Sequence, residues 1–174
     1  MSEERATRRA GLGMMVLFWV LFLGGGAWYF HDYLEAQRNP NAHLADVSIG
    51  EGEPLVLERN RAGHFVATGR INGEPVEFLL DTGATYVAVP AELAERLGLE
   101  STGSAWFNTA NGRVRGELTV LDKVSLGGFT AREVRGSISP GLAGDAALLG
   151  MSFLGRFDIE IRDGRMVLRP PQRS

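Results

Sequence analysis

The sequence predicts a small all-β domain with one or two short helices, set behind a single transmembrane helix. Three observations carry this. Gly11 to Phe30 is an uncharged, largely apolar stretch, and about 20 such residues suffice to cross a bilayer core as a helix. Beyond residue 54, short runs of β-forming residues alternate with the turn dipeptides Asn72-Gly73, Asn111-Gly112, Gly127-Gly128 and Asp163-Gly164. Helical spacing of apolar residues recurs only briefly, after Pro90.

The 174 residues suit one domain with an appendage, and 44% hydrophobic with 22% charged residues is ordinary for a folded chain. A net charge of −3 gives no basic footprint for nucleic acid. Cysteine is absent, which removes disulfides, a thiolate nucleophile and Cys-bearing metal sites. His31, His43 and His64 lie too far apart to form a metal-ligand spacing on one element, so neither a metal nor another cofactor is expected.

Residues 1–10 carry Arg5, Arg8 and Arg9, whereas His31, Asp32 and Glu35 follow the apolar stretch. The positive-inside rule then keeps the N-terminus in the cytoplasm and sends the rest across. A cleaved signal peptide ending at Gly25-Gly26-Ala27 is the competing reading. Trp28-Tyr29-Phe30 extends the apolar run and supplies interfacial aromatics, which favours an uncleaved anchor over 11–30. Residues 31–54 read as a tether, with Asn39-Pro40-Asn41 ending any helix that leaves the membrane. The folded domain is expected over 55–170, with 171–174 as a tail.

Within the domain, Leu55-Val56-Leu57 and the strand from Phe65 to Ile71 flank a turn at Ala62-Gly63. Asn72-Gly73 joins that strand to Val76–Leu80 as a hairpin. Tyr86-Val87-Ala88-Val89 is a further strand. Pro90 then suits a first helical turn, Leu93, Ala94 and Leu97 form its apolar face, and Gly98 ends it. Ala105-Trp106-Phe107 and Val114–Val120 make a second hairpin with its tip at Asn111-Gly112. Val124–Leu126 and Phe129–Ile138 flank Gly127-Gly128, and Phe157–Ile161 and Met166–Leu168 flank Asp163-Gly164.

The stretch that organises the chain is Phe78-Leu79-Leu80-Asp81-Thr82-Gly83-Ala84-Thr85. An apolar strand runs into a carboxylate at the start of a tight turn. Gly83 permits backbone geometry that a Cβ would hinder, and Thr82 and Thr85 offer hydroxyls to hold the turn. Asp-Thr-Gly alone is weak evidence, and its setting gives it meaning. A faint internal repeat follows: hairpin, apolar pair, tight turn, short helix. Leu79-Leu80 and Asp81 hold these places in the first half; Leu148-Leu149 and Gly150 hold them in the second. Only the first turn carries a carboxylate, so the Gly150 turn is expected to buttress it. Trp106 and Phe107 read as hairpin packing more readily than as substrate contacts.

These features resemble the retropepsin-like aspartic proteases of clan AA. The resemblance rests on Leu79-Leu80-Asp81-Thr82-Gly83-Ala84-Thr85, on Leu148-Leu149-Gly150, and on the glycine-bearing hairpin between them; it covers roughly Leu55 to Pro170. Together with the anchor, Ile71-Asn72-Gly73, Ala94 to Leu99, Thr109-Ala110-Asn111-Gly112 and Leu149-Gly150-Met151-Ser152-Phe153-Leu154 look like the bacterial single-pass membrane branch of that clan. The resemblance implies a retropepsin-like half-barrel and an aspartic endopeptidase held in a bacterial inner membrane with its catalytic domain in the periplasm. It implies Asp81 as the catalytic residue and Thr82, Gly83, Ala84 and Thr85 as the active-site loop. Leu148, Leu149 and Gly150 become the supporting turn, and Thr109, Ala110, Asn111 and Gly112 a substrate-covering flap. The helix after Pro90 departs from the viral enzymes, so their terminal dimer sheet does not transfer residue by residue.

Chemistry points the same way. Without metal, thiolate or a Ser/His pair, peptide hydrolysis can use two carboxylates that share one proton. Asp122, Asp145, Asp158 and Asp163 lack a following Thr/Ser-Gly. One chain therefore supplies half a site, which implies a homodimer acting on a protein or peptide substrate. The alternative is a non-catalytic module holding an extended peptide in the same groove.

Overall fold

The computed structural model describes residues 2–47, 50, 52–109, 112–142 and 144–171. The chain divides into two compact units, Met1–Gln37 and Arg38–Ser174.

The first unit is helical. Helix α1 runs from Ser2 to Arg38 without interruption at Gly24-Gly25-Gly26. An 18-residue stretch within Gly11–Arg38 has a mean hydropathy of 1.7, and the helix is long and apolar enough to cross a membrane. Its exposed Leu, Phe and Trp side chains belong against lipid or another apolar surface, not water.

The second unit is built mainly of β-strands. In order these are β1 (Leu55–Glu58), β2 (Phe65–Ile71), β3 (Glu74–Leu80) and β4 (Val87–Pro90), then helix α2 (Ala91–Arg96). There follow β5 (Gly103–Thr109), β6 (Gly112–Leu126), β7 (Phe129–Ser139) and β8 (Ala147–Leu149), helix α3 (Met151–Leu154), β9 (Asp158–Arg162) and β10 (Arg165–Arg169). The larger sheet has the order β2-β3-β8-β4-β7-β6-β5, and β2 also pairs with β6. Six strands therefore close on themselves, with β5 laid outside on β6. Closure removes the exposed edges that an open sheet would leave. Phe78, Ile71, Val87, Leu121, Val124, Leu149 and Phe153 fill the interior and are fully buried.

Asn72-Gly73 and Gly127-Gly128 each adopt positive φ at both central residues, as two-residue hairpins require. The expected turn at Ala62-Gly63 lies between β1 and β2, closed by Asn60 N to His64 O (2.8 Å), while the ladder partner of β1 is β10, in a separate sheet ordered β1-β10-β9 with Leu55 opposite Leu168. One sequence expectation is corrected. Val114–Val120 and Val124–Leu126 are one continuous strand, because the backbone pairing with β7 keeps one register from Glu117 to Leu126.

The stretch 31–54, expected to be a tether, is helical as far as Arg38 and then packs on the domain. Asn41 is buried and bridges two strands: its Nδ2 donates to Glu58 O (2.9 Å) and Val66 O (2.7 Å), and its Oδ1 accepts from Glu58 N (2.9 Å). Asn39 Nδ2 donates to Thr68 Oγ1 (3.0 Å), Arg38 pairs with Glu77 (2.7 Å), and Leu44 joins the core. Pro40 stops the helix, and the asparagines on either side satisfy backbone and side-chain groups of the domain.

Candidate active site

The site begins with a crossing. β3 and β4 are joined by residues 81–86, yet they do not pair with each other. β8 lies between them, parallel to β3 (Leu79 opposite Leu148, Leu80 opposite Leu149) and bridged to β4 at Ala88–Leu148. The Asp81 loop must therefore pass over the end of β8, where Gly150 lies. The two apolar pairs of the internal repeat stand side by side, and the two turns meet.

Backbone hydrogen bonds lock the meeting. Asp81 N donates to Leu149 O (3.2 Å), Met151 N to Ala84 O (2.8 Å), and Ser152 N to Thr85 O (2.9 Å). Asp81 O also accepts from Ala84 N (3.2 Å), closing the turn. A β-carbon at Gly150 would lie 2.6 Å from Ala84 O and closer still to Tyr86 O, so only glycine fits under the loop.

Asp81 is half-buried, and its Oδ1 accepts from Gly83 N at 2.8 Å. The same oxygen would stand 3.1 Å from a β-carbon on Gly83, which has no positive φ. Glycine at 83 thus makes room for the carboxylate and not for an unusual backbone conformation. The Thr82 and Thr85 hydroxyls have no hydrogen-bond partner among the described residues, and both side chains are exposed. The expectation that they hold the turn is not met within one chain; the backbone of Ala84 and Thr85 does so.

Other aspartates lie elsewhere. Asp145 pairs with Arg96 of α2 at 2.9 Å, Asp163 occupies the β9–β10 turn, and Asp122 and Asp158 lie on strands β6 and β9. Among the described residues, Asp81 alone presents a carboxylate from the crossing.

The hairpin of β5 and β6 pairs from Gly103–Leu118 out to Thr109–Gly112. Its tip residues Ala110 and Asn111 lie outside the described residues. Phe107 and Trp106 part company. Phe107 meets Tyr86 of the Asp81 loop edge to face (6.0 Å), and Arg135 covers Tyr86 (5.1 Å), so the hairpin is tied to the loop through an aromatic contact. Trp106 is 61% exposed and touches the Arg113 guanidinium (5.3 Å). A cavity of about 420 Å³ lies between α2 and the hairpin base, lined by Ala94, Leu99, Arg115, Gly116, Ile138 and Pro140 among others; Asp81 is not part of it.

Sequence reasoning missed Ser152. Its Oγ accepts from Val87 N (3.1 Å) and donates to Arg135 O (2.7 Å), joining the start of β4 to β7. It missed Tyr86 as well. Ser152 stands inside the Leu149–Leu154 motif and Tyr86 at the start of an expected strand, but neither side chain's role is legible there, because both act through partners far along the chain.

A family model described as "gag-polyprotein putative aspartyl protease" matches residues 67–156, more than half of the chain. The chain is 32% identical over 128 residues to an uncharacterized protein encoded in the cobV 5′ region of Sinorhizobium sp, covering 71% of this chain and 55% of that one. It is 28% identical over 153 residues to an uncharacterized protein of Rickettsia prowazekii (strain Madrid E), covering 84% of this chain and 64% of that one. The chain thus spans a little over half to about two thirds the length of these relatives. Among solved structures, a retropepsin-like aspartic protease from Rickettsia conorii superposes with a TM-score of 0.59 at 29% identity, covering 69% of this chain and 93% of that one. The matched segment contains β3, the Asp81 loop, the β5–β6 hairpin and the Leu148-Leu149-Gly150 turn. By this match and this fold, the chain belongs to the retropepsin-like aspartic protease family.

Proposed function

We propose that the protein is a membrane-anchored aspartic endopeptidase whose active site is completed by a second copy of the chain. The observation that carries the reading is the Asp81 carboxylate. It stands half-exposed on a loop fixed from below by β8 and α3, and no second acidic side chain shares that setting among the described residues.

Two such carboxylates brought together cannot both ionise, so they hold one proton between them, as in aspartic proteases at large. The ionised one draws a proton from water as that water attacks the peptide carbonyl. The protonated one donates to the carbonyl oxygen. Gly83 N–H, already bonded to Oδ1, orients the carboxylate and leaves Oδ2 for water or substrate. Thr82 and Gly83 line the centre where the two loops would meet, and the exposed, unpartnered Thr82 hydroxyl suits that position. Thr109, Ala110, Asn111 and Gly112 act as the flap over a bound peptide, with the Tyr86–Phe107 contact setting its base.

Residues 11–30 anchor the protein, with Arg5, Arg8 and Arg9 on the cytoplasmic side. The catalytic domain then lies outside the cytoplasm, in the periplasm of a bacterial cell. Full-length protein in detergent should cut an unfolded protein substrate, and Asp81→Asn should not. Equal binding of the peptide by both, with no cleavage by either, would favour the non-catalytic module.

A further inference from the structure

Parallel pairing of β4 with β7 sets Val87 opposite Gly136. Tyr86 and Arg135 each stand one residue earlier, so they are neighbours at the start of that pairing. Val87 and Val134 are fully buried, and strand alternation turns the side chains between them the other way, out of the core. The Arg135 guanidinium lies over the Tyr86 ring, 5.1 Å from its centroid. Tyr86 ends the Asp81 loop, and its ring meets Phe107 of the β5–β6 hairpin edge to face at 6.0 Å. Arg135 therefore stands where the loop and the hairpin face each other, beside the path proposed for the peptide.

Its backbone is fixed. Arg135 O accepts from Ser152 Oγ at 2.7 Å, and the residue lies opposite Val120 in the β6–β7 ladder. Its charge is not used up. Arg38, Arg70, Arg96, Arg162, Arg165 and Arg169 each hold a carboxylate, whereas Arg135 is exposed and ion-paired with none among the described residues. Glu133, two residues back, has φ 49° and no partner in the ladder with β6, which takes it out of the regular alternation.

Other arginines of the hairpin face elsewhere. The β5–β6 register puts Phe107 opposite Val114 and Trp106 opposite Arg115, and successive strand residues point to opposite faces. Phe107 faces the Asp81 loop, so Arg115, and Arg113 two residues before it, face away. Arg115 lines the cavity beside α2, and Arg113 covers Trp106. Arg135 is thus the cation on the loop side. A guanidinium held over a ring keeps N–H donors at its edge, and their fork matches a carboxylate bidentately.

We propose that Arg135, held over Tyr86, reads an acidic side chain of the peptide substrate near the cleaved bond. The inference rests on the protease reading above and gives it a substrate class, extended segments that carry Asp or Glu at that place. Five peptide units separate Asp81 from Tyr86, at most about 17 Å of chain, which an extended substrate covers in about five residues. The residue read by Arg135 lies within that span of the cut.

Peptides blocked at both ends, so that side chains supply the only carboxylates, test this on the full-length protein in detergent. A neutral peptide that is cleaved is rewritten one position at a time as Glu, Gln or Lys, over about five positions on either side of the cut. The assay runs at about pH 6, where a glutamate side chain is ionised. At one position or more, kcat/KM for Glu should exceed that for Gln about three- to fivefold, the scale of an exposed ion pair, and the excess should shrink in about 1 M salt. Arg135→Gln should bring the ratio to about one, Arg135→Lys should keep an excess, and Arg135→Glu should favour Lys over Glu there. Each ratio compares two peptides on one protein, so a variant that folds poorly lowers both rates alike. Absence of a Glu excess at every position in the wild type overturns the proposal. So does an excess that survives Arg135→Gln, or one that does not reverse in Arg135→Glu. Cleavage of neutral and acidic peptides alike would refute this selection and leave the protease reading standing, whereas no cleavage of any peptide removes both.

Discussion

Gly150 lies against the carbonyl oxygen of Ala84 so closely that a single β-carbon there would sit 2.6 Å from it. Both neighbours that such a carbon would meet, Ala84 O and Tyr86 O, are backbone atoms of the loop that carries Asp81. They cannot rotate aside as a side chain would. Gly150→Ala should therefore displace the loop, costing about 1–3 kcal/mol by the usual scale of overpacking. Peptidase activity should fall much further than that loss predicts, because the carboxylate moves with the loop. Urea unfolding followed alongside cleavage would check this; wild-type activity in Gly150→Ala would dissociate the two turns.

The Asn41 clip should matter more for stability than its place outside the strands suggests. Asn41→Ala strands the buried Val66 O and the part-buried Glu58 N and Glu58 O; a buried group left unpaired costs about 1–3 kcal/mol, and a part-buried one less. A total loss of about 2–4 kcal/mol is expected in denaturant unfolding of the full chain. Asn39→Ala should cost less, since Asn39 Oδ1 is buried without a partner and its removal relieves a standing penalty.

Trp106 and Phe107 are adjacent and should behave differently. Trp106→Ala should leave stability within about 0.5 kcal/mol, because the side chain is exposed, and raise KM if the flap presents it to substrate. Phe107→Ala removes the Tyr86 contact and should lower both stability and kcat, as the hairpin loses its tie to the Asp81 loop. Thermal melts and steady-state kinetics on the two variants separate the roles.

Much of the strand pattern is legible in the sequence where local chemistry decides it. Asn72-Gly73 can adopt two positive φ values at little cost, and the alternation on either side then sets the register of β2 and β3. The Asp81 turn is legible for the same reason, as an apolar strand running into Asp-Thr-Gly. What stays hidden depends on distant partners. β8 is only Ala147-Leu148-Leu149, too short to show a period, and its insertion between β3 and β4 comes from closing the barrel. β1 carries an apolar run that fits β2 or β10 equally well, and only the completed fold selects β10. Asn41 looks like a helix breaker beside Pro40, since nothing local announces that its amide reaches Glu58 and Val66.

The proposed membrane orientation rests on the charge on the two sides of Gly11–Phe30. A phosphatase fused after Ser174, active only outside the cytoplasm, should be active in intact cells. The protein should stay with membranes through high-salt and alkaline washes. Activity confined to the cytoplasm would reverse the orientation, and release by washing would indicate cleavage after Ala27.

The central claim is that catalysis is shared between chains, and mixing tests it most directly. Asp81→Asn is nearly isosteric, so it should fold and associate as wild type does while bringing no ionisable group to the site. Full-length wild type held at one concentration in a single membrane preparation is mixed with rising amounts of Asp81→Asn, and cleavage of an unfolded protein is measured. Confinement in one membrane raises the effective concentration of partners and favours exchange into mixed pairs. The account predicts that activity falls steeply as the mutant is added, because each wild-type chain caught in a mixed pair has one carboxylate in place of two. Activity that stays constant at every mutant excess, with exchange verified by tagged copies, would contradict it and require a second catalytic carboxylate within the same chain.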